Sequence, residues 1–115
     1  MADCVFCKIA QKEIPSNVVY EDDDVIAFRD LEPQAPVHVL VIPKRHFADL
    51  LSFTRAERTL AGHILAEVIP QVATELGLAE GGFRVVTNTG QDGGQTVSHL
   101  HFHILGGRSL TWPPG

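Results

Sequence analysis

The sequence predicts an α+β domain spanning 1–115, with a mostly antiparallel sheet of about five strands and one long helix packed on it. Three patterns carry that reading. In His99-Leu100-His101-Phe102-His103-Ile104-Leu105, histidine alternates with a large apolar residue before the chain reaches Gly106-Gly107. A period of two is that of a strand with one face in a core, so Leu100, Phe102 and Ile104 turn inward and the imidazoles share the other side. The short runs Val18-Val19-Tyr20 and Val25-Ile26-Ala27-Phe28-Arg29-Asp30, joined by Glu21-Asp22-Asp23-Asp24, read as an antiparallel hairpin. Leu60, Ile64, Val68, Val72 and Leu76 recur at i+4, the stripe of a core-facing helix.

The remaining elements follow in order. From Cys4 to Ala10, the spacing of Val5, Phe6 and Ile9 predicts a short N-terminal helix that Ile14-Pro15-Ser16 breaks. The four acids of the hairpin are a solvated turn, because consecutive acids lack the spaced ligands and glycine of a calcium loop. Glu32-Pro33-Gln34-Ala35-Pro36 connects to a buried strand, His38-Val39-Leu40-Val41-Ile42, which ends in the basic turn Pro43-Lys44-Arg45-His46, a surface turn or a phosphate site. Thr54-Arg55-Ala56-Glu57 has the capping-box form, with Thr54 as N-cap of the main helix. Pro70 should kink or split that helix near Ala66 to Ile69, and Gly77 is a C-terminal cap. His63, beside the apolar stripe, reads as structural or exposed. Gly82–Thr87 is another strand, and the glycine-rich loop Asn88–Thr96 delivers the chain to the histidines. That loop has no lysine and leads to a strand, so it is neither a P-loop nor a dinucleotide fingerprint. Its backbone N–H groups and the hydroxyls of Thr96 and Ser98 lie just upstream of the imidazoles, where they could cradle an anion.

Composition removes several function classes. Fourteen acidic against nine basic residues give a net charge of −5, which speaks against nucleic-acid or acidic-membrane partners. No apolar run approaches the roughly 20 residues of a membrane span, and Met1–Cys4 lacks the regions of a secretion signal, so a cytoplasmic location is expected. Cys4 and Cys7 are then unlikely partners in a structural disulfide.

Three of the six histidines fall within five residues. Such a row admits a solvated edge, a metal site with His38 as a further ligand, or a nucleophilic middle imidazole whose neighbours fix its tautomer.

The histidine run resembles the His-φ-His-φ-His-φ-φ signature of the histidine triad (HIT) family. Lys12-Glu13-Ile14-Pro15, Pro33-Gln34-Ala35-Pro36, His38–Lys44, Asp92-Gly93-Gly94-Gln95 and Trp112-Pro113-Pro114-Gly115 resemble its Hint branch. The resemblance implies a HIT-like fold, a homodimer with a continuous sheet, and a tail around Trp112 that reaches the partner's site. It also implies hydrolysis of purine nucleoside 5′-phosphoramidates of the AMP-amine type. His101 would be the nucleophile forming a nucleotidyl-histidine, with His99, His103 and His38 completing the imidazole network and no cofactor needed for the chemistry. An imidazole with a pKa near about 6.5 is available as a nucleophile at neutral pH. Asn88, Gly94 and Thr96 would contact the phosphate or leaving group, Asp30 the ribose hydroxyls, and Val5, Phe6, Ile9, Phe28 and Leu31 would wall the base pocket.

Two positions depart from the branch. Thr96 stands where close relatives carry serine, and Cys4 and Cys7 are absent from many animal-type members. Some microbial members resemble this chain in a Cys-x-x-Cys with bound zinc, and by that analogy Cys4, Cys7, His46 and His99 would hold a structural zinc. The alternatives are a non-catalytic nucleotide-binding adaptor and a dinucleoside polyphosphate hydrolase of the same family.

Overall fold

The computed structural model describes residues 4–115. Five antiparallel strands form one sheet in the order β1-β2-β3-β5-β4. They are β1 (Val18–Glu21), β2 (Val25–Arg29), β3 (Val37–Pro43), β4 (Phe83–Val86) and β5 (Phe102–Gly106). Helix α1 (Val5–Ala10) precedes them, and α2 (Leu50–Ala56), α3 (Arg58–His63), a π-helical turn (Ile64–Val68) and α4 (Ile69–Glu75) lie between β3 and β4. No helix among the described residues is long and apolar enough to cross a membrane.

The central strands are buried on both faces, and alternation sorts their side chains. Val25, Ala27, Val39, Val41, Phe102 and Ile104 pack with Ile64, Val68 and Val72 in the main core. Ile26, Phe28, Leu40 and Ile42 face the other way, against Phe6 and Ile9 of α1. Each fully buried Val, Ile or Phe contributes roughly 1.5–3 kcal/mol before entropy is counted. Leu40 is the Cα partner of both Phe28 and His103, and paired residues of an antiparallel ladder share a face. Register therefore puts His103 on the side that α1 covers.

The histidine strand is shorter than its alternation predicts. Hydrogen-bonded β5 begins at Phe102, and His99 to His101 lead into it. The ladder to β4 ends at Val86–His103. Beyond it the Thr87 hydroxyl donates to the His101 carbonyl at 2.9 Å, and the Leu100 N–H is diverted to Phe47 O at 2.7 Å. Leu100 nonetheless joins Phe102 and Ile104 in the main core at 1% exposed, and His99 and His101 beside it are buried as well.

The helical start also differs from the capping box at Thr54. Asp49 is the N-cap of α2, accepting from Ser52 N at 2.9 Å while Ser52 Oγ accepts from Asp49 N. Thr54 is interior, its hydroxyl donating to Leu50 O at 2.8 Å. Glu57, at φ −135° and ψ 63°, separates α2 from α3 and is held by Arg45 at 3.1 Å. From Arg58 to Glu75 the helical segments are continuous, and the expected stripe faces the core. Pro70 has no N–H to give the preceding turn, and the turn before it widens to the π form, in the region where a kink is expected. Gly77, at φ +78°, closes α4, with Leu78 N donating to Ala73 O at 2.9 Å.

His63 has a structural partner on each nitrogen. Nε2 lies 2.7 Å from Asp22 Oδ2 and Nδ1 meets Glu67 Oε2. A neutral imidazole has one N–H and would leave a lone pair facing a carboxylate, so both contacts require the imidazolium. Hydrogen bonding to Asp22 and Glu67 accordingly raises its pKa. The basic turn is committed as well, Lys44 to Glu21 at 2.7 Å and Arg45 to Glu57, so neither is free for a phosphate.

The cap assignment gives a direct check. Asp49→Ala lowers the urea midpoint of unfolding, and Thr54→Ala lowers it less. The reverse order would return the helix start to Thr54.

Candidate active site

Between α1 and the α1-facing side of the sheet lies a cavity of about 390 Å³. Its apolar wall is Val5, Phe6, Ile9, Ile14, Phe28 and Leu40, and its polar rim includes Ser16, Asp30, Glu32, Thr96, His101 and His103. A larger hollow of about 650 Å³ beside His63 is more open to solvent and touches none of the imidazole row.

Neighbouring main-chain groups determine where each imidazole carries its proton. His101 Nδ1 lies 2.8 Å from the His99 carbonyl. A carbonyl only accepts, so the proton is on Nδ1 and Nε2 keeps its lone pair. The Gln34 N–H donates to His38 Nδ1 at 3.0 Å, so the His38 proton is on Nε2 and is donated to His103 Nδ1 at 2.8 Å. The one proton of neutral His103 is then on Nε2. Burial lowers the pKa of His38, against the charge of Asp30, and burial with the neighbouring His101 and His38 lowers that of His103 to about 4. Both rings are neutral at pH 7. The ring centroids of His101 and His103 are 5.1 Å apart, and the Phe6 ring meets His101 edge-on at 5.1 Å.

His99 is fully buried and faces away from the cavity. Its Nε2 donates to Pro43 O at 2.9 Å, which leaves the Nδ1 lone pair facing Cys4 Sγ at 3.3 Å and Cys7 Sγ at 3.5 Å. His46 Nδ1 lies 3.4 Å from Cys7 Sγ. The four donor atoms all lie within 4.8 Å of one another. In a tetrahedron with Zn–S near about 2.3 Å and Zn–N near about 2.05 Å, an S–N edge is about 3.5 Å, so this donor set fits zinc. Burial, with Cys4 alongside, raises the Cys7 pKa, and a divalent cation would reverse that by binding the thiolate. Asp30, His38 and His103 also bring donor atoms within 4.8 Å. Gln34 N–H occupies His38 Nδ1 and keeps the proton on Nε2, so this trio carries a hydrogen bond and is poorly suited to a metal.

The structure brings most of the expected nucleotide-site residues together. Val5, Phe6, Ile9, Phe28, Asp30, Leu31 and Thr96 line the cavity, with Leu31 at its lip and 93% exposed. Asp30 Oδ1 accepts from Glu32 N at 2.9 Å, and Oδ2 lies 3.5 Å from His38 Nε2. Asn88 and Gly94 are not on the cavity wall. Their loop is closed on itself: Gly94 N–H donates to Gln91 O, and the Gln95 side chain accepts from Gly90 N while donating to Ala48 O and Val97 O. Sequence reasoning missed Ile14, Ser16, Leu40 and Val97 as lining residues, and Gln34, Pro43 and Gln95 as supports. Leu40 was findable, since strand pairing puts it beside Phe28. The supports act through main-chain atoms or a loop closure that no side-chain pattern announces.

Known proteins share this sequence pattern and this fold. A family model described as HIT domain matches residues 11–110. An uncharacterised HIT-like protein of Synechococcus elongatus is 58% identical, over 98% of this chain and 97% of its own. Protein HitA of Neisseria gonorrhoeae is 47% identical, over 92% of this chain and 97% of its own. A HIT family hydrolase of Legionella pneumophila superposes with a TM-score of 0.93 at 50% identity, covering 98% of this chain and all of the other. A histidine triad protein of Clostridium difficile gives a TM-score of 0.91 at 52% identity, over 96% of each chain. With a family match across that much of its length and relatives this similar, the chain belongs to the HIT domain family.

Proposed function

We propose that this protein hydrolyses the P–N bond of purine nucleoside 5′-phosphoramidates through a nucleotidyl-histidine on His101. The observation that carries the reading is that His101 commits Nδ1–H to the His99 carbonyl and keeps the Nε2 lone pair, on a ring lining the cavity. That lone pair attacks the α-phosphorus, the N–P bond to His101 forms, and the bond to the amine breaks as the amine leaves with a proton taken from solvent, which the attacking water returns in the second step. Water then displaces His101 and AMP is released. Splitting the displacement in two gives water a reactive phosphoramidate in place of a stable one. The positive charge that His101 gains is met by the carbonyl of His99.

His103 presents its single proton on Nε2 and would donate to the phosphoryl oxygen that gains charge, with His38 behind it. The base would lie between Phe6, Ile9 and Phe28, which line the cavity and form a wall that separates adenine from guanine only weakly. Asp30 would take the ribose hydroxyls and Thr96 the phosphate.

Two further features belong to the same reading. Cys4, Cys7, His46 and His99 would hold one zinc in a closed, structural site that takes no part in the reaction. Two chains would pair as a homodimer. Its support is the sheet edge at β4, where Phe83 and Val85 are each 40% exposed, and the exposed Trp112 on the tail beyond.

Purified protein should release AMP from adenosine 5′-phosphoramidate, and His101→Ala should lose at least about a hundredfold of that rate. Equal rates would remove His101 as nucleophile. The wild-type rate should stay level with respect to His103 from neutral pH down to about 5. It should then fall as pH approaches about 4, where His103 protonates and can no longer accept from His38. Protonation of the His103 ring above pH 6, read directly from its ¹⁵N shifts, would contradict a neutral, buried His103.

Elemental analysis after gentle purification should find about one zinc per chain, and Cys7→Ser should lose it and melt at lower temperature. Metal-free wild type whose melting is indifferent to chelator would end the zinc proposal. Sedimentation should give twice the chain mass, and Val85→Lys on the edge should shift it toward the monomer. A monomeric wild type at micromolar concentration would refute the dimer.

A further inference from the structure

We infer that Arg108, which lies outside the cavity, is a positioning residue that sets the proton order of the His38–His103 pair through the backbone of Gln34. The inference rests on the reading that His103 donates to the substrate, and it extends the site to a residue that never touches the nucleotide.

The hydrogen bonds meet at Gln34, Arg108 on its carbonyl and His38 on its N–H. Arg108 Nε and Nη2 both donate to the Gln34 carbonyl, at 3.1 and 2.9 Å. The Gln34 N–H donates to His38 Nδ1 at 3.0 Å, and His38 Nε2 donates to His103 Nδ1 at 2.8 Å. Each link fixes the next. With Nδ1 of His38 an acceptor, its only proton is on Nε2. With Nδ1 of His103 then an acceptor, its only proton is on Nε2. Neutral imidazole tautomers are close in energy, so the hydrogen bond made by one nitrogen decides which form exists.

The weak point of the chain is the Gln34 segment. Gln34 is exposed and sits between Pro33 and Pro36, which supply no N–H to tie the loop down. Within the loop, Asp30 accepts from Glu32 N and the Gln34 side chain donates to Glu32 O. From outside the loop, Arg108 supplies two donors on one carbonyl, which fixes direction as well as distance.

The backbone explains how an arginine arrives there. β5 ends at Gly106, opposite Val37, and Gly107 turns the chain at φ +89°. A Cβ on Gly107 would lie 2.9 Å from Pro36 Cβ, so the turn is pressed against the same loop. Arg108 follows at once and reaches back to Gln34. No side-chain contact between Arg108 and the cavity is needed.

The test combines ¹⁵N NMR of the histidine rings with kinetics on adenosine 5′-phosphoramidate, for wild type, Arg108→Ala and Arg108→Lys. Wild type should hold both His38 and His103 as single Nε2–H tautomers. Arg108→Ala should show mixed tautomers and lose about tenfold in kcat, a fraction of the roughly hundred- to ten-thousandfold scale of proton-donor effects, with KM within about twofold. Arg108→Lys keeps one donor and should recover part of both. A wild-type His38 protonated on Nδ1 would overturn the inference without any variant. So would unchanged tautomers in a folded Arg108→Ala, even with reduced activity, because that would make the arginine merely structural. Should tautomers shift as expected while wild type releases no AMP, the proton order stands and the hydrolase reading falls.

Discussion

A neutral imidazole has one proton and two nitrogens, and in this fold main-chain groups decide where that proton goes. Pro43 O takes the Nε2–H of His99, His99 O takes the Nδ1–H of His101, and Gln34 N–H occupies Nδ1 of His38. Three otherwise similar side chains thereby acquire different capacities: a lone pair toward the cysteines, a lone pair at the cavity, and a donor to His103. Burial enforces the neutrality on which this depends, since it lowers the pKa of His99, His38 and His103 alike. Among the described residues no buried side-chain nitrogen or oxygen lacks a hydrogen-bond partner. An unpaired imidazole at these depths would cost about 1–3 kcal/mol, and the row would have no fixed order.

The sheet makes such burial affordable by having two cores. The helical layer covers Val39, Val41, Phe102 and Ile104, while α1 covers Leu40 and Phe28. The second core is thinner, and the cavity opens within it. A binding site on the helix-covered face would require moving the Arg58–Glu75 rod with its π turn. On the α1 face it requires only that a short helix and a loop stand apart. The positions of strand pairs then determine the chemistry, because Leu40 opposite His103 and Phe28 opposite Leu40 put an apolar wall and an imidazole side by side.

Much of this was legible from side-chain periodicity and much was not, for a physical reason. The i+4 stripe, the hairpin and the imidazole alternation concern which way side chains point, and sequence records that directly. Pro70 announced the disturbance of the helix because a missing N–H is a property of the residue itself. The helix start was misread because Thr54–Glu57 and Asp49–Ser52 both fit capping chemistry, and only the backbone at Glu57 decides between them. Asn88 and Gly94 look poised for an anion by position, yet they lie off the cavity wall, and Gln95 ties their loop through bonds to Gly90, Ala48 and Val97. The tautomers were invisible for the same reason: their partners are carbonyls and amides, which every residue has.

Helix α1 ties these themes together. At six residues it is too short to be stable alone, so its position comes entirely from what it touches. Cys4 and Cys7 attach one side of it to His99 and His46, while Phe6, between them in sequence, packs edge-on against both His99 and His101. The neighbouring Val5 and Ile9 face the cavity. The same helix therefore contacts the sulfur–imidazole cluster, His101 and the apolar wall of the cavity. A change in how Cys4 and Cys7 are held reaches Phe6 through the helix they share, while Ile26, Phe28, Leu40 and Ile42 of the sheet hold Phe6 and Ile9 from the other side. In the proposed reaction the cluster would act through the placement of a wall and a ring, with neither sulfur taking part in the chemistry.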